Sequence, residues 1–252
     1  MCTVSYLPLG GNDFILTSNR DENPKRETLP PKEYNEDGIS LIYPKDKLAG
    51  GTWIGLSENN RLICLLNGGY ENHERAASYR ASRGVIVKQL LKADNAVTMI
   101  EQFDLNGIEP FTIVLVDWND NLNAYELVWT GKEKNFRKLE EKPHIWSSST
   151  LYTEEMKQLR RDWFANWLKD KKAYEQSEII SFHLDDTKEA HVSPKMKREF
   201  VETVSVTSVK KEEEQVSLQY HDVLNDLLTR TNQNRAKADK PTNNAPMIAK
   251  NI

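Results

Sequence analysis

The chain has 252 residues, 38% hydrophobic and 29% charged, and Lys+Arg 34 against Asp+Glu 38 leaves a net charge of −4. Such a length buries a sizeable core without staples. The near-balanced charge sets aside nucleic acid and anionic membrane surfaces as default partners. Two cysteines, Cys2 and Cys64, exclude a disulfide framework and a Cys-rich zinc site. The five histidines show no metal-ligand spacing, so neither metal nor organic cofactor is expected. No apolar run reaches the roughly 18 residues of a membrane span. No basic stretch followed by an apolar core opens the chain, so a cytoplasmic protein in a reducing compartment is expected.

In chain order, residues 3–8 alternate, Gly10-Gly11-Asn12-Asp13 supplies turn chemistry, and Phe14-Ile15-Leu16-Thr17-Ser18 resumes a strand. Residues 23–47, rich in Pro, Lys and Glu, read as a surface excursion. Thr52-Trp53-Ile54-Gly55-Leu56 and Arg61-Leu62-Ile63-Cys64-Leu65-Leu66 predict a second hairpin around Glu58-Asn59-Asn60. The second arm is continuously apolar, as in a strand buried on both faces. Residues 79–103 read as helical, with Val85, Ile86, Gln89, Leu90 and Ala93 inward and Asp94 capping a short second helix.

Two strong strands follow, Phe111 to Trp118 and Leu122 to Thr130, with a further short one near Ile145 to Ser149. From Thr153 the pattern is helical, with Met156, Leu159, Trp163 and Trp167, and Phe164 and Leu168 beside them, as an apolar stripe. A short helical piece surrounds Ile179, Ile180 and Phe182. Residues 200–209 and 215–220 form a last hairpin, and the polar stretch 229–252 is expected to be a disordered tail to a single domain, 1–228. Antiparallel hairpins and separate helical blocks predict an α+β protein with sheet layers between helices.

Cys2 carries the most chemical information. It follows Met1, and with Met1 removed it would head the chain. A terminal cysteine joins a nucleophilic thiol to an α-amine of pKa about 7.7–8.0 that can serve as its base. A loop of about two to four residues in the first hairpin sets Cys2 opposite Asn19, Arg20 or Asp21. Asp21 could hold the amine, and Arg20 could favour the thiolate. With Asn59-Asn60 as a two-residue turn, Asn67 falls opposite Thr52, where its amide could donate to an oxyanion. His73, Arg75, Arg80 and Arg83 could rim a pocket for a carboxylate or phosphate. Cys64, amid a strand, reads as a small buried hydrophobe.

Met1-Cys2-Thr3, Asn19-Arg20-Asp21-Glu22, Gly50-Gly51-Thr52-Trp53-Ile54-Gly55, Leu66-Asn67 and Ser82-Arg83-Gly84 occur in an order that resembles the NRDE family, also called the transport and Golgi organisation (Tango-type) family. The resemblance implies an N-terminal nucleophile hydrolase-like fold, a four-layer αββα sandwich with antiparallel sheets, similar to bile-salt hydrolases and penicillin V acylases. It implies Cys2 as nucleophile, Arg20 and Asp21 beside it and Asn67 as an oxyanion donor; Asn19, Arg83 and His73 are the residues expected to bind substrate. Ser148 stands where the family usually has an amide. A late arginine of the acylases has no counterpart between Phe200 and Val209, and Arg198 lies early. Losing one oxyanion donor costs on the order of a hundredfold in rate.

The function expected on these grounds is acyl transfer or hydrolysis at a small-molecule amide or thioester, without nucleic acid, a membrane span or a cofactor. The alternative is a non-catalytic binding or trafficking protein for haem or acyl lipids on the same fold, with Cys2 and His73 as ligands to haem iron.

Overall fold

The computed structural model describes residues 3–234. Cys2 and residues 235–252, most of the expected tail, lie outside the described residues. In chain order the elements are β1 (Thr3–Gly10), β2 (Asp13–Glu22), β3 (Thr28–Glu36), β4 (Ile39–Asp46), β5 (Ile54–Ser57) and β6 (Arg61–Asn67). Two helices follow, α1 (Arg83–Lys92) and α2 (Ala96–Gln102). Then come β7 (Phe111–Asp117), β8 (Asn123–Trp129), β9 (Lys134–Lys138) and β10 (His144–Ser147). The chain continues through α3 (Glu154–Leu168), α4 (Gln176–His183), β11 (Glu202–Glu212), β12 (Gln215–Asp222) and β13 (Leu227–Asn234).

The strands form two antiparallel sheets, one ordered β10-β1-β2-β11-β12-β13 and the other β3-β4-β5-β6-β7-β8-β9. Val4, Phe14 and Leu16 from the first meet Ile54, Leu62, Cys64 and Val114 from the second in the core between them. Ile86, Val87, Leu90 and Ile100 of α1 and α2 cover the outer face of the second sheet. Phe164, Ile179 and Phe182 of α3 and α4 cover Leu7 and Ile15 on the outer face of the first. The layers therefore run helix, sheet, sheet, helix, the αββα arrangement expected.

The first hairpin holds one register from Thr3↔Asn19 to Pro8↔Phe14, then shifts before Gly10↔Asp13. Residues 23–47 are not a surface excursion. Asp37-Gly38, both at positive φ, make a two-residue turn that pairs Glu36 with Ile39. Pro30-Pro31 falls at the register shift of β3 and masks its strand character. The second turn holds Glu58-Asn59-Asn60, with Asn60 at φ 52, so Ser57 faces Arg61. Carried on, that register sets Asn67 level with Gly51, not Thr52, while across its other edge Asn67 pairs with Phe111 of β7.

In α1 the buried residues are Ile86, Val87, Leu90 and Leu91, while Val85 is 42% exposed and Gln89 is exposed. Arg61, 1% exposed, explains the docking of this helix. Its guanidinium donates to the carbonyls of Leu90 and Ala93 at 3.0 and 2.6 Å, closing backbone acceptors that a helix end leaves open. Asn95, not Asp94, caps α2 by accepting from the Thr98 N–H. β9 has only five residues, and β13 carries the sheet past Leu228 to Asn234, so order extends beyond the expected boundary.

α4 is tied to the first sheet by polar contacts as well as apolar ones. His183 is fully buried. Its Nδ1 bonds Asn19 Oδ1, and its Nε2 lies 2.7 Å from Ser5 Oγ. Asn19 Nδ2 donates to the carbonyls of His183 and Pro194, so Asn19 Oδ1 must be the acceptor toward Nδ1–H. Nε2 then accepts from Ser5, and the imidazole is neutral. Burial, aided by the charge of Arg160, lowers its pKa from 6.5 to about 3.

The unfolded chain thus takes up a proton near pH 6.5 that the folded chain refuses until about pH 3. Stability from this group is complete above pH 6.5 and declines as pH falls, by up to about 1.4 kcal/mol per pH unit. Urea titrations should show that loss between pH 6.5 and 4, and His183→Gln should flatten it. An unchanged slope in the variant would assign the acid sensitivity elsewhere.

Candidate active site

Successive side chains of a strand point to opposite faces, and β2 uses this at its C-terminal end. Arg20 points between the sheets. Its side chain is 4% exposed and its Nη2 lies 2.9 Å from Asp46 Oδ2, with its Cζ 4.6 Å from the Trp53 ring centroid. Burial pulls its pKa below the ordinary arginine value, against Glu22 and Asp46, which raise it.

Asp46 is the hub of this wall. Its Oδ2 also takes Arg26 Nε at 2.8 Å, while Oδ1 accepts the N–H groups of Leu48 and Ala49 at 3.1 and 2.8 Å. Burial alone would raise this carboxyl. The Ala49 N–H and the arginines more than reverse it, and its pKa lies below the usual carboxylate range.

Asp21 points the other way, into the helical layer. Its Oδ2 accepts from the Tyr152 hydroxyl at 2.7 Å and its Oδ1 from Thr203 Oγ1 at 2.6 Å. Arg160 of α3 lies over the same tyrosine, with Cζ 3.7 Å from the ring centroid, and Arg198 approaches it at 5.2 Å. Arg160 is 1% exposed. Its Nε donates to the Val192 carbonyl at 2.9 Å, and its other nitrogens bond Thr3 Oγ1 and the Ser193 carbonyl. Among the described residues no carboxylate lies within ion-pair distance of it. A buried arginine thus stands against the first residues of β1, on a helix about forty positions before the segment where a late arginine was sought.

Arg20, Asn67 and Arg83 line one cavity of about 220 Å³, with Glu22, Arg26, Asp46, Trp53, Arg75 and Glu109. Gly51 and Gly84 bring its walls together. A Cβ on Gly51 would stand 3.2 Å from Gly84 Cα, and one on Gly84 would stand 3.0 Å from the Thr52 carbonyl oxygen. This contact is why the Gly50-Gly51-Thr52 and Ser82-Arg83-Gly84 blocks carry glycine. Arg83 donates to the Pro110 carbonyl at 3.1 Å and pairs with Glu109 at 3.1 Å. The other oxygen of Glu109 faces His73 Nε2 at 3.5 Å.

Ser148 is 1% exposed. Its hydroxyl donates to the Asn67 carbonyl at 2.6 Å, and Thr150 Oγ1 is 2.9 Å away. The one hydroxyl proton of Ser148 is therefore already placed.

The structure thus gathers Arg20, Asn67 and Arg83 on one cavity, joins Ser148 to it through Asn67, and joins His73 through Glu109. Asp21 sits behind the sheet. Asn19, expected at the substrate, is instead held in the core by His183 and Pro194. Sequence reasoning missed Asp46, Tyr152, Thr203 and Arg160. An arginine inside an apolar helical stripe, between Met156 and Phe164, was the available signal for the last. Cys64 is fully buried, which pushes its thiol up to about 12.

The family described as Transport and Golgi organisation 2 matches residues 1–240. No curated protein matches the chain by sequence. Among solved structures, an N-acylethanolamine-hydrolyzing acid amidase ortholog from Caenorhabditis elegans is similar at 13% identity and a TM-score of 0.58, over 82% of this chain and 92% of that one. A variant of the conjugated bile acid hydrolase from Clostridium perfringens is similar at 10% identity and 0.53, over 91% and 92%. Penicillin V acylase from Agrobacterium tumefaciens is similar at 10% identity and 0.53, over 91% and 85%. At these identities the likeness shows the fold.

Replacing Arg160 by Met should lower stability by about 2–4 kcal/mol, because three buried acceptors lose a charged donor. Denaturant midpoints check this, and Arg160→Lys should recover less than half, since a single ammonium cannot reproduce the guanidinium fork.

Proposed function

The chain belongs to the Transport and Golgi organisation 2 family, and on that premise we propose that it is an N-terminal-cysteine amidohydrolase or acyltransferase acting on a small-molecule amide or thioester. The observation that carries this reading is the β1–β2 register. It reaches Thr3↔Asn19, and on β2 the next residues are Arg20 and Asp21. Cys2 is the covalent neighbour of Thr3, with Cα atoms about 3.8 Å apart across one peptide. The reading requires a thiol on that tether to reach the Arg20 guanidinium and the cavity that Asn67 lines.

In the reaction proposed, the Cys2 thiolate attacks the substrate carbonyl carbon after its proton passes to the α-amine. The Asn67 amide donates to the oxyanion as the tetrahedral intermediate forms. The C–N or C–S bond then breaks and the leaving group takes the proton from the amine. Water, or an acceptor amine, resolves the acyl-cysteine. Asp21, fixed by Tyr152 and Thr203, orients the terminal ammonium, and Arg20 favours the thiolate. Arg83 and His73, both on Glu109, shape the substrate side.

The placement of Ser148 favours a second reading. With its proton on the Asn67 carbonyl, it does not supply the donor that an amide would, and a weak or absent second donor suits a protein that binds haem or acyl lipids without turning them over.

The readings separate by experiment. A thiol-directed acylating probe at neutral pH should label Cys2 and leave Cys64 unmodified in the native protein. Asn67→Ala should slow acylation by about a hundredfold, whereas Ser148→Ala should slow it by less than about tenfold. Labelling confined to Cys64, or an intact Met1 in the purified protein's mass, would sink the catalytic reading.

A further inference from the structure

The cavity beside Asn67 has an imbalance of charge. Four guanidinium groups, Arg20, Arg26, Arg75 and Arg83, line it against three carboxylates, Glu22, Asp46 and Glu109. Those carboxylates are engaged: Asp46 and Glu22 hold Arg20 and Arg26, and Glu109 holds Arg83. Arg75 has no carboxylate within ion-pair distance among the described residues. One positive charge is left over. The cations also crowd each other. After burial and the opposing pull of Glu109 and Tyr79, the charges of Arg75 and Arg26 help depress the Arg83 pKa.

A second, independent observation points to a missing acceptor. Trp53 lines the same cavity and is 6% exposed. Its indole N–H is buried with no acceptor among the described residues. An indole nitrogen only donates, and a buried donor left unpaired is unfavourable.

We infer that this cavity receives a carboxylate-bearing head group of the substrate, held by Arg75 and Arg83 with the Trp53 N–H as a further donor. The inference rests on the acyl-transfer reading and names the substrate class for that site. A single carboxylate matches the one surplus charge, whereas a phosphate monoester brings about −1.5 to −2. Arginine forks also fit a planar carboxylate two oxygens at a time. The cavity, of about 220 Å³, has room for such a head group.

The test uses the full-length chain carrying Cys2→Ala, so that ligand is bound without turnover, and isothermal titration with N-decanoylglycine and N-decanoylethanolamine. The two share an acyl chain and an amide and differ in the carboxylate. The glycine compound should bind at least about tenfold more tightly, the effect of one charge-assisted hydrogen bond. Added salt should narrow the gap. Arg75→Ala, at an exposed position where folding is not at stake, should cut the preference to below about threefold, and Arg75→Lys should restore part of it. Equal affinities, no binding of either compound, or a preference that survives Arg75→Ala overturns the inference. Failure of the acyl-transfer reading shows separately, as a wild-type Cys2 that the probe does not acylate while the carboxylate preference persists.

Discussion

Two adjacent residues of β2 must face opposite ways, and the site is organised by that constraint. Arg20 enters the space between the sheets, where Asp46 and Trp53 receive it. Asp21 enters the helical layer, where Tyr152 and Thr203 receive it. A cation and an anion are thereby held one residue apart without neutralising each other. Each is locked by its own partners on its own side of the sheet, at the end of β2 that faces the start of β1. Both groups are nearly excluded from water, so their contacts are screened less than those of a surface ion pair.

The helical layer is more than a cover for apolar residues. Arg160 and His183 are buried against the first residues of β1, one through Thr3 and the other through Ser5. The guanidinium keeps its charge by donating to Thr3 and to two backbone carbonyls, whereas the imidazole is driven neutral by burial and by that nearby charge. The two groups thus fix the same strand from two helices by different means. Buried polar networks of this kind restrict a strand end to one position, provided every member is satisfied.

Much of the fold was readable from local pattern. The Gly10-Gly11 hairpin, the paired strands on either side of Asn119, the aromatic stripe of α3 and the last hairpin all carry strong periodicity or turn chemistry. The errors share a cause. β3 hides behind Pro30-Pro31 and charge because it is an edge strand, where little is buried and prolines are tolerated. β9 and β13 are edge strands as well and lack an apolar face. In α1 the choice between the stripe at 85, 86, 89 and 90 and the one at 86, 87, 90 and 91 turns on a rotation of one residue, which the sheet beneath settles. A turn read one residue short set Asn67 level with Thr52 instead of Gly51, because register passes a single-residue error along the entire ladder.

By itself the sequence determined which chemical groups the chain has to offer near its start, the ordered motif blocks that mark the family, and the layering of hairpins between helical blocks. These are local properties of spacing and residue type. Only the tertiary structure decided that Asn19 belongs to the core, that Ser148 directs its proton at the Asn67 carbonyl, and that Arg160 and Tyr152 stand behind Asp21. It also brought Arg75 and Arg83 to the cavity of Arg20 and Trp53, across a contact that two glycines permit. Such pairings join segments tens to more than a hundred residues apart, and no local periodicity encodes them. They follow from how two sheets and two helical layers close on one another.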